Sequence, residues 1–245
     1  MTGFILLVLC WELIVISGAV PETALPRPMD VLQALVEYRA SLWDHGLTTF
    51  SEIILGFALS AVSGFLIALL IASSMVLNRI LYPVVIVAQA VPKVALIPVI
   101  LIWFGFGRAS NAVIALLISV FPVIVNTLYG LQSVDQRLID LGRAMSGRRF
   151  MIFRKIRLPA AMPSVFTGLK LGMSFATVGA VAGEIFAGSE GLGYLVSSAA
   201  GALNTPLAYA AIVAISAIGL LLYYLMLWLE RRLLPWAVGD LPSGM

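Results

Sequence analysis

Residues 148–159 read RRFMIFRKIRLP, and five of these twelve residues are arginine or lysine. The whole chain of 245 residues is 61% hydrophobic and only 11% charged. Soluble domains usually contain about 25% charged residues and just under half apolar residues. A chain of this size cannot bury so much apolar surface in a core of its own, so the excess must face lipid. The composition therefore predicts an integral membrane protein with a concentrated positive segment.

Six apolar segments come close to the length of roughly 20 residues that a membrane-spanning helix needs. Their pattern predicts helices rather than the alternating strands of a membrane barrel. The third segment is interrupted by Pro92 and Pro98. The first is short and could be a signal peptide, but it lacks the positive start that a signal peptide should have. The predicted spans are 4–20, 49–73, 83–104, 111–129, 165–186 and 207–229.

The basic residues of the connecting segments predict how the chain is oriented in the membrane. Segment 130–163 contains seven arginine and lysine residues against two aspartates. With six spans, Arg79 and the Arg231–Arg232 pair fall on the same side as this segment. That side is predicted to be cytoplasmic, together with both termini, and residues 21–47 are predicted to lie outside.

One transmembrane domain, 1–245, is predicted, because the chain shows no internal repeat. Within it, 1–25 contains the first span, 26–46 forms an external amphipathic segment, and 47–245 forms the core with the loop 130–163. Cys10 is the single cysteine, which excludes a disulfide framework and a multi-cysteine metal site. No metal ligand set and no catalytic residue are predicted.

The loop 130–163 exceeds the 2–8 residues that usually connect two packed helices. Leu138, Leu141 and Met145 fall at helical spacing, so two short helices are predicted within it, joined by a turn at residues 146–147. Pro159 is predicted to stop the second helix.

Aromatic and aliphatic residues alternate with the arginines of this loop. Membrane topology or attraction to anionic lipid headgroups would explain the positive charge. Neither would explain Phe150, Phe153 and Ile156 among the basic residues. The pattern favours a surface that docks onto another protein.

The stretch 140–159, DLGRAMSGRRFMIFRKIRLP, resembles the cytoplasmic signature of ABC importer permeases, which has the form E-A-A, three residues, G, nine residues, I-x-L-P. The end of the signature matches in register, whereas its first half departs from the pattern at the usual glutamate, alanines and glycine. Three further stretches look like the nitrate, taurine and aliphatic-sulfonate branch: AVPKVALIPVILIWFGFGRAS (90–110), GEIFAGSEGLGYLV (183–196) and RRLLPW (231–236).

The resemblance implies an all-α membrane protein with the type I ABC importer permease fold, in a bacterial cytoplasmic (inner) membrane. In this family the segment between spans four and five is a coupling helix that sits in a cleft of the ATP-hydrolysing subunit. The corresponding coupling residues are Asp140, Ser146, Gly147, Phe150, Phe153, Ile156, Leu158 and Pro159.

The implied partners are a second copy of the chain or a related permease, two ATP-binding cassette ATPase subunits, an extracytoplasmic substrate-binding protein and the lipid bilayer, with no nucleic acid. The sequence has no G-x-x-x-x-G-K-[ST] phosphate loop, so the chain is not expected to be an enzyme. ATP and Mg²⁺ are expected to bind the partner ATPase, with no cofactor in this chain.

Ionisable residues within spans are candidates for a substrate pathway by default. Lys93, beside Pro92, could attract an anionic substrate or pair with another group near the membrane edge. Lys170 and Glu184 lie about 21 Å apart along one helix and cannot pair within it, so pairs with other helices are expected. The candidate pathway residues are Gln89, Lys93, Ser174 and Glu184.

The sequence suggests roles for three further groups of residues without deciding between the alternatives for the first two. The small residues of span five favour tight helix packing within the chain and lining of a pathway about equally. Gly188, Gly191 and Gly193 could belong to a moving gate or to a turn. His45 is interpreted as a surface histidine.

Two other function classes fit the sequence less well. A secondary transporter would usually show internal repeats and acidic residues at mid-membrane. An intramembrane enzyme would need a nucleophile–base pair or a metal cluster, which a single cysteine and a single histidine do not supply. The expected substrate is a small anion such as a sulfonate, taurine, nitrate or bicarbonate, and the alternative is a vitamin or pyrimidine precursor.

Overall fold

The computed structural model describes residues 2–18, 20–21, 23–145 and 148–237, and every regular element in these ranges is helical. A 3₁₀ turn, Lys93–Leu96, precedes α5, and a π-helical turn, Phe153–Arg157, precedes α9. The helices are α1 Thr2–Ile16, α2 Pro28–Glu37, α3 Arg39–Ser73, α4 Met75–Ala90, α5 Ile97–Phe104, α6 Arg108–Gln132, α7 Gln136–Ala144, α8 Arg149–Ile152, α9 Leu158–Ala187, α10 Leu192–Gly201 and α11 Thr205–Leu233.

Four helices of the described chain are long and apolar enough to cross a membrane: α3, α6, α9 with the turns before it, and α11. A fifth span is formed if α4 and residues 93–104 are taken together, with a bend of 83° between them. The 15-residue α1 reaches only about 22 Å at 1.5 Å per residue, short of the roughly 30 Å hydrocarbon layer. The described residues therefore supply up to five spans where the sequence predicts six.

The prolines of the third predicted span differ in their effect. The break falls at Val91–Pro92, as expected, since proline removes a backbone hydrogen bond from a helix. Pro98 does not interrupt the span, so that part of the prediction is wrong. It lies in the first turn of α5, where the backbone N–H that proline lacks would have had no partner in the helix.

Pro159 does not stop the second short helix of the loop either. It lies in the first turn of α9, and helical geometry continues from residue 149 to residue 187. The widened π-helical turn immediately before it makes room for the proline ring, which would clash with the carbonyl four residues earlier in a regular helix.

The core forms where α3 and α9 cross α6 on two sides of Ala115. A Cβ atom on Gly56 of α3 would lie 2.5 Å from the Ala115 side chain, and one on Gly179 of α9 would lie 2.7 Å from the Ala115 Cα atom. Glycine therefore allows both backbones to approach α6 closely. Three other glycines of α9 also face α6: Gly168, Gly172 and Gly183.

The direction of these glycines supports the first of the two interpretations of the small residues in span five, tight packing within the chain, for the glycines themselves. The glycines pack against another helix of the same chain. The other face of α9 is exposed and presents Leu171, Ser174, Phe175 and Val178. This second face is the one that α9 leaves open to a pathway or a partner subunit.

Candidate functional sites

The described part of the predicted docking loop, residues 135–145 and 148–157, forms two helical arms at one end of the bundle, which we call the hairpin. The Asp135 side chain caps α7 by accepting a hydrogen bond from the Arg137 N–H at 2.8 Å. Asp140 is exposed and accepts hydrogen bonds from Gln136 and Arg143, both at 3.1 Å. Its role within the chain is thus to stabilise the surface of α7.

A close contact joins the two arms of the hairpin. A Cβ atom on Gly142 would lie 2.8 Å from the Ile156 side chain and 3.3 Å from that of Ile152. Arg157 donates a hydrogen bond of 2.8 Å from Nε to the Leu131 carbonyl at the end of α6. The hairpin is therefore closed by its own apolar residues and attached to both α6 and α9.

The hairpin exposes only part of the apolar set that the sequence singles out. Phe150 is 72% exposed, as a docking residue must be. Phe153, Ile156, Leu158 and Pro159 are half-buried, so they support the hairpin more than they cover its surface. Ser146 and Gly147 lie outside the described residues.

The remaining exposed apolar surface comes mainly from α7. Leu138, Leu141, Met145 and Met151 are all exposed, and with Phe150 they form what we call the hairpin stripe. The helical spacing of Leu138, Leu141 and Met145 is visible in the sequence and could have identified them as one continuous surface.

The candidate pathway residues do not form a single cluster in the described structure. Gln89 is exposed at the end of α4, and its carbonyl accepts a 2.8 Å hydrogen bond from Lys93 Nζ. Lys93 also lies over the Phe121 ring, 4.7 Å from its centroid, which is a cation–π contact. Ser174 is exposed on the free face of α9 and bonds to the Lys170 carbonyl. Glu184 is buried at the end of the bundle opposite the hairpin.

The start of α10 is held by side chains from two long helices. Three successive backbone N–H groups, which have no partner within a helix at its N-terminus, donate to these side chains. The pairs are Gly191 with His45 Nδ1 at 3.0 Å, Leu192 with Thr49 Oγ1 at 2.8 Å, and Gly193 with Glu184 Oε2 at 2.7 Å. We call this group the α10 cap. The interpretation of His45 as a surface histidine is therefore wrong.

The same arrangement explains two of the three glycines near residue 190. Gly191 has φ of +100°, and a Cβ atom there would collide with the Glu184 carboxyl group. A Cβ atom on Gly193 would lie 2.6 Å from the Val181 carbonyl oxygen. Both glycines are required by the close approach of the Glu184 carboxyl group and its helix to the start of α10.

Sequence reasoning did not identify two polar contacts at this end of the bundle, one between α3 and Glu184 and one between α6 and α3. Thr49 donates to Glu184 Oε1 at 2.6 Å, and Asn111 donates to Glu52 Oε1 at 3.1 Å. The sequence did contain one indication of these bonds, since polar residues recur near the same end of three apolar segments. Beside them, Arg108 bonds to Glu190 at 2.9 Å and to Thr48 at 3.2 Å.

A partly buried ion pair links α9 to α11. Lys170 Nζ lies 2.7 Å from Glu230 Oε2, and their side chains are only 18% and 14% exposed. The expectation that Lys170 pairs with a residue of another helix is confirmed. The pair ties the two helices together near the hairpin end of the bundle.

Changing Glu230 to Gln is expected to destabilise the protein more than replacing both partners, as Lys170→Met with Glu230→Leu. Removing one partner leaves an uncompensated charge, which costs about 3–5 kcal/mol at a buried site, whereas two apolar residues can be nearly neutral. Thermal unfolding in detergent of both single variants and the double variant forms a double-mutant cycle. A double variant as unstable as the worse single variant would contradict this prediction.

The sequence of this chain matches one family model and is similar to several curated proteins. Residues 60–235 match the family model described as binding-protein-dependent transport system inner membrane component. The chain is 36% identical to a probable ABC transporter permease protein of Haemophilus influenzae, over 95% of this chain and 94% of that protein. It is 35% identical to the riboflavin transport system permease protein of Chloroflexus aurantiacus, over 94% and 87% of the two chains. It is 30% identical to the taurine transport system permease protein of Escherichia coli, over 92% and 85%.

The fold also matches a solved structure. A crystal structure of an amino acid ABC transporter with histidines superposes with a TM-score of 0.64 and 16% sequence identity. The match covers 83% of this chain and 97% of that chain. At this identity the match shows the fold alone, and it confirms the all-helical type I permease architecture predicted from the sequence.

Proposed function

The chain belongs to the family of binding-protein-dependent transport system inner membrane components, the permease subunits of ABC importers, and from this premise we propose how it works. Two permease chains, either identical or related, form the substrate pathway. An ATPase subunit binds each chain at the hairpin and hydrolyses ATP with Mg²⁺. A binding protein delivers substrate at the end of the bundle that carries the α10 cap.

The hairpin stripe is the observation that supports the proposed ATPase site. Leu141, Met145 and Phe150 are exposed on a segment that its own packing and the Arg157 bond hold in place. A surface that transmits motion must be both apolar enough to bind and attached to the spanning helices. The basic residues around the stripe add electrostatic complementarity to an acidic partner. The excess of basic residues also supports a cytoplasmic position for the hairpin and for the end of α11, which carries Arg231 and Arg232.

Affinity purification of the tagged chain from its own membrane tests this proposal. An ATP-binding cassette protein is expected to co-purify with the chain in stoichiometric amounts and to hydrolyse ATP in the purified assembly. Purification of the chain without any nucleotide-hydrolysing partner would contradict the proposal.

For the substrate, we propose a small anion. Lys93 has no carboxylate within ion-pair distance among the described residues, and it lies at the bend of the α4–α5 span. An unpaired cation at a break in a spanning helix is suited to attract negative charge. The relative named for taurine transport supports a sulfonate. The relative named for riboflavin transport has higher identity and supports a vitamin as the second candidate.

Lys93→Gln should distinguish these substrates, and Lys93→Arg is its matched control. In proteoliposomes containing the complete importer, Lys93→Gln is expected to lower uptake of an anionic substrate by roughly tenfold, since about 1.4 kcal/mol of attraction is lost. Lys93→Arg retains the charge and should stay within about threefold of the wild type. Unchanged uptake in Lys93→Gln would contradict the anion pathway and favour a neutral vitamin. Calorimetry on the cognate binding protein identifies the ligand independently.

A further inference from the structure

A cavity of about 610 Å³ lies between the end of α3 and the two arms of the hairpin. Part of its wall is apolar, with Leu69 of α3 and Phe153 of the second arm. Three arginines line the same cavity, Arg143, Arg149 and Arg157, and no acidic residue of the described chain does. Like charges around one space repel one another, and an anion between them removes that repulsion. The cavity is therefore suited to an anionic ligand.

The chain itself neutralises these arginines only in part. Arg143 pairs with Asp140 at 3.1 Å, on an exposed part of α7. Arg157 uses its Nε atom to bond the Leu131 carbonyl. Within the described ranges, no carboxylate lies at ion-pair distance from Arg149 or Arg157. Guanidinium groups bind phosphate through two parallel hydrogen bonds, so a phosphate group is the anion that these side chains fit best.

The α3 wall of the cavity continues into an apolar surface of a spanning helix. Leu66, Leu69, Leu70 and Ser73 are spaced so that they lie on one face of α3, which is long and apolar enough to cross the membrane. Leu69 and Ser73 line the cavity, and Leu66 and Leu70 are exposed in the preceding turns. A ligand with a phosphate group and long acyl chains can therefore contact the arginines and the leucines together.

The cavity and the hairpin stripe lie on nearly opposite sides of α7. A helix turns by about 100° per residue, so residues three, four and seven positions apart share a side. The cavity side of α7 carries Gln136, Ile139 and Arg143, and the stripe side carries Leu138, Leu141 and Met145. Among the described residues of the stripe, only Phe150 also lines the cavity. A ligand in the cavity thus leaves most of the stripe available to the ATPase.

We propose that the cavity binds an anionic phospholipid. The lipid phosphate is held by Arg149 together with Arg143 and Arg157, and an acyl chain packs along α3 against Leu66 and Leu70. Basic pockets beside spanning helices on the cytoplasmic side bind anionic lipid headgroups in this way. The bound lipid bridges the end of α3 and the hairpin. This inference goes beyond the proposed transport function and holds whichever substrate is carried.

Native mass spectrometry of the purified assembly in mild detergent tests the site. The assembly is titrated with phosphatidylglycerol, which is anionic, and separately with phosphatidylcholine, which has no net charge. The wild type is expected to bind phosphatidylglycerol more tightly. Arg149→Gln should weaken this binding by roughly tenfold, because one hydrogen bond to a charged group is lost. Arg148→Gln is the matched control, since it removes the same charge from an exposed neighbour that does not line the cavity.

Four results would overturn the proposal. The wild type could bind both lipids equally, or Arg148→Gln could weaken binding as much as Arg149→Gln, which would indicate a general charge effect. Inorganic phosphate could displace the lipid completely, which would assign the cavity to a free anion. Arg149→Gln could lose the ATPase but keep its lipid affinity, which would assign Arg149 to an acidic group of the partner.

Size-exclusion elution at the wild-type volume shows that a variant is folded. Arg149 is exposed, so its substitution removes no contact of the core. Arg143→Gln, which changes a second arginine of the same cavity, decides in the same way if Arg149→Gln aggregates.

Discussion

Replacing Phe150 with glutamate is expected to abolish co-purification of the ATPase subunit while leaving the permease folded. Phe150 is 72% exposed, so the substitution removes no contact of the core. Truncation of a central interface residue typically costs about 2–4 kcal/mol, equivalent to a roughly 30- to 700-fold loss of affinity. The glutamate adds the cost of burying a charge beneath a bound partner. Pull-down with a tagged permease, followed by an ATPase assay of the eluate, measures both effects.

Trp236→Glu is the matched control for this experiment. Trp236 is 62% exposed and follows α11 at the hairpin end of the bundle, but it lies outside the hairpin stripe. Its substitution should leave ATPase recovery within about twofold of the wild type. Full recovery of the ATPase with Phe150→Glu would show that the partner binds elsewhere. Ile156→Glu is less informative, because Ile156 packs on Gly142 and its change would disrupt the hairpin itself.

The second large effect is expected from Gly179→Val, which should prevent accumulation of folded protein. A Cβ atom at this position would lie 2.7 Å from the Ala115 Cα atom and 3.2 Å from the Ala115 N atom. These are backbone atoms of a helix, so no side-chain rotation relieves the collision. Overpacking of a core costs about 1–3 kcal/mol even where neighbours can adjust. Here α9 must move away from α6, and the contact of α3 with Ala115 is strained as well.

Gly219→Val provides the comparison, because it makes the same change within α11. The nearest atom to its Cβ is the Thr177 methyl group at 3.6 Å, which is an ordinary contact. Fluorescence-detected size-exclusion chromatography of both variants should show a monodisperse peak for Gly219→Val and aggregate for Gly179→Val. A monodisperse Gly179→Val protein with wild-type thermal stability would refute the close crossing at Ala115.

The sequence predicts the long helices well and their ends poorly. Apolar content correctly places four spanning helices, and a fifth if the bent α4–α5 pair is one span, because exposure to lipid is a property of each segment by itself. The behaviour of proline depends instead on its position within a turn. Pro92 breaks a span, whereas Pro98 and Pro159 lie in the first turns of α5 and α9. A proline starts or ends a helix according to backbone geometry that neighbouring elements determine.

The residues of the candidate sites are likewise only partly predictable from the sequence. The basic hairpin is visible in the sequence because its charge and its apolar residues are local. Which apolar residues are exposed is not visible, since Ile156 is covered by Gly142 from the other arm. The α10 cap is less visible still, because its partners are far apart in the chain: Thr49 and Glu184 are separated by 135 positions.

By itself, the sequence determined that this chain is a helical membrane protein with a positively charged hairpin between two spans. These properties follow from composition and from charge placed along the chain, which no folding step alters. The tertiary structure decided that the glycines of α9 face α6, that Glu184 caps α10 and that Asn111 of α6 bonds to Glu52 of α3. Each of these depends on which distant residues meet, and only the packing of whole helices against one another selects those pairs.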